Sequence, residues 1–291
     1  MSTTTATIPI PLVGHREPAA APSALRRLRR AVGDSLAITE RNLIGFVRVP
    51  ESLFFLSVQP IMFVLLFRYV FGGAIRIPGV DYTNYLMPGI FVQTAAFGSI
   101  STAVGMAEDL QKGLIERFRA LPMARSAVMA GRSLADLCRA MLVIVIMTGV
   151  GFAVGFRPHG GVLGFFAGIG ILLLFAQAMS WGFSLIGLTA PNSETAQVMA
   201  FPVIFPLTFA SSAFVAIPSL PSWLQPFARN QPVSQIINAV RDLMLGNNVH
   251  VPTVLLTGGS TSHAAVLAVL WCLGLVAVLA PAAVRRYRRA V

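Results

Sequence analysis

The sequence predicts an all-α integral membrane protein with six transmembrane helices. An N-terminal amphipathic interfacial helix precedes them, a cytosolic helix follows the second, and an outer amphipathic helix precedes the last. Composition is the first observation behind this prediction, because 55% of the 291 residues are hydrophobic and only 11% are charged, whereas soluble domains carry about 25%. The second is a set of six apolar segments, each close to the roughly 20 residues that a membrane-crossing helix needs. The third is a charged segment, residues 108–132, between two of them.

The chain before the first span divides into a tail and a helix. Residues 1–22 are rich in Thr, Pro and Ala and lack the apolar stretch of a signal peptide, so we expect a disordered cytosolic tail. In residues 24–49, apolar side chains recur near helical spacing at Leu25, Leu28, Val32, Leu36, Leu43 and Phe46. Arginines fill much of the rest, which predicts an amphipathic helix lying on anionic headgroups. A helix packed on a partner subunit is the alternative.

The six predicted spans are residues 52–72, 85–106, 134–156, 162–188, 198–217 and 264–284. Basic residues set their orientation. Seven arginines precede the first span, five basic residues lie in segment 108–132 and four arginines follow the last span, whereas the loops on the other side hold four. Because positive charge accumulates on the cytosolic side, we expect both termini and segment 108–132 in the cytosol. The same clustering at span ends argues against nucleic-acid binding.

Polar residues within or near the spans have two interpretations. Asp136 and Arg139 are three residues apart on one helix face, so they are expected to form an ion pair near the end of their span, although an intramembrane charge is also a functional candidate. The remaining polar and helix-bending residues either kink helices or line a polar route: Gln59, Pro60, Gln93, Gln177, Pro202 and Pro206.

The long loop after the fifth predicted span contains a second amphipathic pattern. Its apolar positions fall at helical spacing: Val233, Ile236, Ile237, Val240, Leu243 and Met244. Asn230 and Pro232 suit the start of a helix and Gly246 suits its end. Such an apolar stripe is expected to press into the membrane face or the helix bundle.

Segment 108–132 has a pattern suited to docking. Leu110, Leu114, Phe118 and Leu121 recur about every four residues, while charged side chains occupy other faces. Pro122 ends the helix because it lacks an amide hydrogen and restrains the residue before it. A short amphipathic helix of this kind suits a groove on another protein. An ordinary charged cytosolic loop is the alternative.

Several functional classes have no support in the sequence. There is no phosphate-binding G-x-x-x-x-G-K-[ST] motif, no H-E-x-x-H and no G-x-S-x-G. The four histidines lie in tails or loops and the two cysteines in apolar runs, so neither a catalytic nor a metal site is expected. A self-sufficient channel or secondary transporter remains an alternative. A protein of that class is expected to carry charged groups near the middle of its spans.

Two segments resemble a known family. GLIERFRALPMARSAVMAGR, residues 113–132, resembles the cytosolic stretch of ABC type-2 transporter permeases, in which a glycine and a Glu-Arg pair precede a small residue and a proline. ARNQPVSQIINAVRDLMLG, residues 228–246, resembles their second motif, an Asn-Pro-like turn, a helix carrying Arg241 and a closing glycine. The chain departs from this motif at Gln231, which separates Asn230 from Pro232. The branch it resembles, over residues 50–289, is the daunorubicin/doxorubicin-resistance exporter group.

The resemblance implies the membrane subunit of an ATP-driven exporter for a hydrophobic or amphiphilic drug or a lipid; glycan-polymer export is the alternative within the family. It implies a separate ATP-binding subunit that holds ATP and Mg, no cofactor on this chain, and a second permease, either the same chain or a related one. The implied location is the lipid bilayer of a bacterial cytoplasmic membrane, which the chain crosses several times. By this resemblance, segment 108–132 corresponds to a coupling helix that sits in a cleft of the ATPase. The residues that would make this contact are Glu116, Arg117, Phe118, Arg119, Leu121 and Pro122.

We expect Phe118→Ala to weaken association with the ATPase subunit or its coupling to transport, because Phe118 is the apolar anchor of the coupling helix. Membrane insertion should be unaffected. Pull-down of the ATPase and drug- or lipid-stimulated ATPase activity of the reconstituted pair measure the effect. Unchanged stimulated activity would count against this role.

Overall fold

The computed structural model describes residues 24–48, 50–73, 80–113, 125–246 and 261–289, and helices are the only regular secondary structure in these ranges. The α-helices are α1 (Ala24–Val47), α2 (Pro50–Leu65), α3 (Tyr82–Gly98), α4 (Ile100–Gln111), α5 (Arg125–Ala153), α6 (Gly161–Thr189), α7 (Ser193–Phe209), α8 (Gln225–Asn230), α9 (Pro232–Leu245) and α10 (Thr261–Arg289). A π-helical turn, Leu66–Phe71, extends α2, and a 3₁₀ turn, Ile217–Ser219, precedes α8.

Within these ranges, four helical stretches are long and apolar enough to cross a membrane: Tyr82–Gln111, Ala130–Ala153, Gly161–Thr189 and Ser262–Arg289. They overlap the predicted spans 85–106, 134–156, 162–188 and 264–284. The other two predicted spans coincide with shorter helices, the apolar stretch Ser57–Phe71 and α7. The all-helical membrane fold is therefore confirmed, while the six-span topology stays a prediction.

The fifth predicted span, 198–217, differs from the helix that forms there. Helix α7 ends at Phe209, and residues 210–216 are not helical. Two tyrosine hydroxyls of α3 stabilise this irregular segment: Tyr82 donates to the Phe214 carbonyl and Tyr85 to the Ser212 carbonyl, each at 3.2 Å. Because these donors satisfy carbonyls that a longer helix would have paired internally, the chain can leave the helix inside the bundle.

Helix α6 is the centre of the bundle, since it packs against α3, α4, α5, α7, α9 and α10. Glycines allow this close packing. A Cβ at Gly187 would lie 2.4 Å from the Ala103 carbonyl oxygen in α4, and one at Gly164 would lie 2.3 Å from the Leu243 carbonyl oxygen in α9. Glycine at these positions therefore lets α6 touch the backbones of two neighbours.

Helix α9 forms where the outer amphipathic pattern predicts it. It begins at Pro232 and is followed by Gly246, whose φ of 74° is unfavourable for residues with a side chain. Five of the six stripe residues are buried in the main core: Val233, Ile236, Ile237, Val240 and Met244. The stripe thus packs into the bundle. The Gly160 amide donates to the Met244 carbonyl at 2.9 Å and fixes the end of α9 beside the start of α6.

Helix α1 lies along the first turns of α5. The Thr39 hydroxyl donates to the Gly131 carbonyl at 2.9 Å, and a Cβ at Gly131 would lie 2.5 Å from the Ser35 carbonyl oxygen. The exposed apolar side chains of α1, at Val32, Leu36 and Ile44, remain available to the membrane surface. The segment predicted to be interfacial therefore forms one continuous helix, Ala24–Val47, that is attached to the bundle through a glycine contact, and its position at the membrane surface stays a prediction.

Substituting Gly164 by alanine should destabilise the fold, because the new methyl group would collide with backbone rather than with a flexible side chain. Gly170→Ala is the matched control on the same helix, since a Cβ there meets nothing within 4 Å and alanine favours helix by about 1 kcal/mol. Thermal unfolding of the detergent-purified chain should show a lower transition temperature for Gly164→Ala only. Equal transition temperatures for the two variants would contradict the close α6–α9 packing.

Candidate functional site

The coupling residues predicted from the sequence, 116–119, 121 and 122, lie outside the described residues, but both flanks of their segment are placed. Asp109, at the end of α4, pairs with Arg132 in α5, and the Arg41 guanidinium of α1 lies 3.9 Å from the same carboxylate. These contacts bring three helices together at one end of the bundle. The described flanks of this segment, up to residue 113 and from residue 125, therefore belong to helices that meet at one place in the bundle.

One helix turn deeper, Asp136 is the centre of a buried polar cluster. Arg139 pairs with one carboxylate oxygen. The Thr102 hydroxyl of α4 and the Ser180 hydroxyl of α6 donate to the other, at 2.7 and 2.8 Å. The Asp136 side chain is 10% exposed, and its hydrogen bonds supply the compensation that a buried carboxylate requires. The cluster ties α4, α5 and α6 to one another.

A cleft of about 320 Å³ opens between α2, α3, α4 and α7. Three glutamines reach it, Gln59 from α2, Gln93 from α3 and Gln197 from α7, and its aromatic lining is Phe63, Phe97 and Phe201. Binding sites for drug-sized molecules are concave and mostly apolar, with a few polar groups that orient the ligand. This cleft has that character, and it lies on helices that the sequence assigns to spans.

Phenylalanine rings continue from the cleft along α2 and α7. On α7, Phe205 lies 5.6 Å from Phe201 and 5.2 Å from Phe209, measured between ring centroids. On the facing side, Phe67 lies 6.0 Å from Phe63 and 5.2 Å from Phe71. Phe214, in the irregular segment after α7, joins the two rows, with centroids 4.3 Å from Phe67 and 5.4 Å from Phe209. We call these rings the aromatic rows.

At the other end of the bundle, the outer motif places an arginine in the core. Arg241 of α9 has no exposed surface. Its guanidinium donates to the Tyr85 carbonyl at 3.1 Å, the Ser212 carbonyl at 2.7 Å and the Asn238 side-chain oxygen at 3.2 Å, and it lies 3.7 Å from the centroid of the Tyr85 ring. The arginine thus links α3, α9 and the segment after α7.

Burial lowers the pKa of the Arg241 guanidinium, while interactions with Tyr85 and Asp242 raise it. Burial also raises the pKa of Asp242 to about 6, against the lowering effect of Arg241. No ion pair is formed between Arg241 and a carboxylate among the described residues. The positive charge is therefore compensated mainly by carbonyl oxygens and by the face of an aromatic ring.

The other outer-motif residues frame the start of α9. Asn230 ends α8, and its side chain donates to the Pro226 carbonyl at 2.9 Å. Gln231, the departure from the family motif, is buried, and its side-chain amide donates to the Ala210 carbonyl and at 3.4 Å to the Ser234 hydroxyl. The inserted residue therefore joins α9 to the end of α7.

The structure brings together residues that no sequence pattern connects. Thr102 and Ser180 bind Asp136, and Asp109 binds Arg132, across 23 to 44 positions of chain. Serine and threonine in apolar helices carry no local signal of their partners. Among the described residues, no group of three or more His, Cys, Asp and Glu side chains is arranged to hold a metal ion.

Comparisons with known proteins identify relatives. A family model described as ABC-2 type transporter matches residues 35–245. A daunorubicin resistance ABC transporter permease from Streptomyces coeruleorubidus is 33% identical over 268 residues, 91% of this chain and 90% of the relative. A probable doxorubicin resistance ABC transporter permease from Mycobacterium tuberculosis is 27% identical over 239 residues, 81% of this chain and 86% of the relative. A putative transport permease from Cyanophora paradoxa is 24% identical over 218 residues, 73% of this chain and 74% of the relative.

We expect Arg241→Lys to lower stability by about 2–4 kcal/mol, because an ammonium cannot reproduce the planar contacts of the guanidinium and leaves buried carbonyls unpaired. Arg229→Lys is the control, since Arg229 is exposed and bonds only Gln225, at 3.3 Å, through its side chain. Thermal unfolding in detergent should show a loss of about 5–10 °C for Arg241→Lys alone. A transition temperature equal to that of the control would mean that the buried contacts are not needed.

Proposed function

The chain belongs to the ABC-2 type transporter family, and on this premise we propose that it is the membrane-spanning permease subunit of an ATP-driven exporter of hydrophobic or amphiphilic drugs. Two of the relatives named above are daunorubicin and doxorubicin resistance permeases. Permeases of this family work with an ATP-binding subunit, so ATP and Mg bind to the partner. This chain contributes the route across the membrane.

The substrate class rests on one observation, the cleft between α2, α3, α4 and α7. Its three phenylalanine side chains offer faces and edges for an apolar or planar aromatic molecule. Its three glutamines offer both donors and acceptors for hydroxyl and carbonyl groups. None of the lining residues is charged. The cleft therefore suits an amphiphile that partitions into the membrane better than a strongly charged solute.

In the predicted orientation of the chain, the aromatic rows lead from the cleft toward the outer side of the membrane. The arginine distribution predicts that both termini and segment 108–132 lie in the cytosol. In that orientation, Phe63, Phe67 and Phe71 follow one another outward along α2, as do Phe201, Phe205 and Phe209 along α7. A hydrophobic substrate leaving the cleft would keep apolar contacts along these rows until it reached the outer side.

The proposed ATPase contact is segment 108–132 with its six coupling residues. The paired groups Asp109, Arg132 and Arg41 support this placement, because they fix both flanks of the segment to α1, α4 and α5. A movement imposed on the segment would reach these three helices directly. By linkage, closure of the ATPase can shift the permease toward its matching conformation only as far as the closed ATPase binds that conformation more tightly than the other one.

A second permease subunit completes the proposed transporter, because a six-span chain is half of such an assembly. Helices α2 and α7 carry exposed apolar side chains next to the cleft, among them Met62, Leu66, Val203 and Phe205. In a membrane these side chains face either lipid or a neighbouring subunit. We place the second copy or a related permease on this side, so that two clefts would face each other.

The proposed function is tested in inside-out vesicles that contain the chain and its ATPase subunit. Daunorubicin should accumulate only with ATP. Phe201→Ala should raise the drug concentration for half-maximal uptake roughly tenfold, the worth of a lost aromatic contact of about 1.4 kcal/mol. Phe166→Ala is the matched control, because this phenylalanine of α6 is exposed and lines no part of the cleft, and it should keep the wild-type concentration.

Two results would contradict the proposal. Uptake that persists without ATP or without the ATPase subunit would indicate a self-sufficient transporter. Equal half-maximal concentrations for Phe201→Ala and Phe166→Ala would remove the cleft from the substrate route. Replacing daunorubicin by a fluorescent lipid in the same vesicles distinguishes drug from lipid transport.

A further inference from the structure

A second cavity, distinct from the cleft, lies between α1 and the first turns of α5. Its volume is about 190 Å³, and its lining is Asn42, Leu43, Arg132, Ala135, Asp136 and Arg139. It shares no lining residue with the cleft. A water molecule needs only about 10–15 Å³ measured in the same way, so this cavity has room for a much larger polar group.

The lining has an excess of positive charge. The side chains of Arg132 and Arg139 are 15% and 19% exposed, and the Arg41 guanidinium lies close by, 3.9 Å from Asp109. Among the residues that line the cavity, two carry guanidinium groups, Arg132 and Arg139, and one carries a carboxylate, Asp136. A lining with more guanidinium than carboxylate groups favours a ligand that is anionic or rich in acceptor oxygens over a cation.

Hydrogen-bond donors point to the same conclusion. The Nε atom of Arg132 is buried without a hydrogen-bond partner. The Asn42 side-chain oxygen accepts from Arg41 at 3.0 Å, which leaves the amide hydrogens of Asn42 for another acceptor. An unmet buried donor costs free energy, and a ligand rich in acceptor oxygens would satisfy it.

The location of the cavity identifies the source of that ligand. The apolar stretch of α5 begins at Ala130, so Arg132 and Arg139 lie in its first three turns, near the level of the lipid headgroups. One wall is the amphipathic helix α1, which exposes Leu36 and Ile44, and Leu43 adds an apolar contact inside the cavity. Basic pockets between helices on the cytosolic side suit anionic lipid headgroups.

We propose that this cavity binds the phosphate group of an anionic phospholipid from the cytosolic leaflet. Arg132 and Asn42 donate to its oxygens, Arg139 supplies positive charge, and the acyl chains lie along the exposed apolar face of α1. Occupancy would join α1 to α5 at the cluster that holds the flanks of segment 108–132. This site is independent of the cleft and of which drug is exported.

Native mass spectrometry of the detergent-purified full chain, titrated with phosphatidylglycerol or phosphatidylcholine, tests the proposal. The wild type should retain phosphatidylglycerol preferentially. Arg132→Gln and Asn42→Asp should each weaken this binding about tenfold or more. The first removes a charged hydrogen-bond donor, and the second replaces a donor by a carboxylate that repels the phosphate. Arg48→Gln is the control: it removes the same unit of charge from an exposed residue after α1 and should bind as the wild type does.

Asn42→Asp guards against a folding artefact, because an aspartate keeps an acceptor for Arg41 and leaves the Asp109–Arg132 pair intact. Equal binding by all three variants would overturn the proposal, because the preference would then reflect overall charge. Complete displacement of the lipid by millimolar glycerol 3-phosphate would also overturn it, in favour of a site for soluble phosphate esters. Displacement by other phosphatidylglycerol molecules alone would support the lipid assignment.

Discussion

The outer half of the bundle depends on one requirement: the guanidinium of Arg241 must find oxygen acceptors where water has no access. One acceptor, the Ser212 carbonyl, is available because α7 has already ended at Phe209. This carbonyl also accepts from the Tyr85 hydroxyl at 3.2 Å, so both of its lone pairs are used. The helix break, the tyrosine and the arginine therefore require one another, and their interaction holds α9 inside the bundle.

The inner end of the bundle is built differently. Its contacts are ion pairs between side chains, with Asp109 shared by Arg132 and Arg41, and the Arg41 side chain is 39% exposed. Partly exposed pairs of this kind contribute little to stability and exchange partners at small cost. A transporter that receives movement from a soluble partner needs such adaptable contacts on that side. The buried arginine on the other side instead holds its helices through hydrogen bonds to carbonyl oxygens that water does not reach.

Local pattern determined how much could be predicted. The limits of α9 and its buried stripe follow from helical periodicity and from the turn preferences of Pro232 and Gly246, and Asp136 and Arg139 are neighbours on one helix face. The family resemblance in segments 113–132 and 228–246 is confirmed by the matched family model and relatives. The contact of Arg241 with Tyr85 joins residues 156 positions apart, and the cleft needs four helices. Neither feature produces a recognisable pattern in any short segment of the sequence. The roles of the six coupling residues stay predictions.

A thin wall separates the cleft from the polar cluster around Asp136. Thr94 and Gly98 of α3 line the cleft on one side and, on the other, a small cavity of about 30 Å³ beside Asp136 and Ser180. Directly after them, at Ser99, the α3 and α4 helices meet in a break. Helix α4 carries Thr102, which binds Asp136, and Asp109, which binds Arg132. Helix α4 is thus held by polar side-chain contacts along its length and is joined through Ser99 to the part of α3 that lines the cleft. We therefore expect a displacement of this polar cluster that preserves these contacts to reach the wall of the cleft through the junction at Ser99.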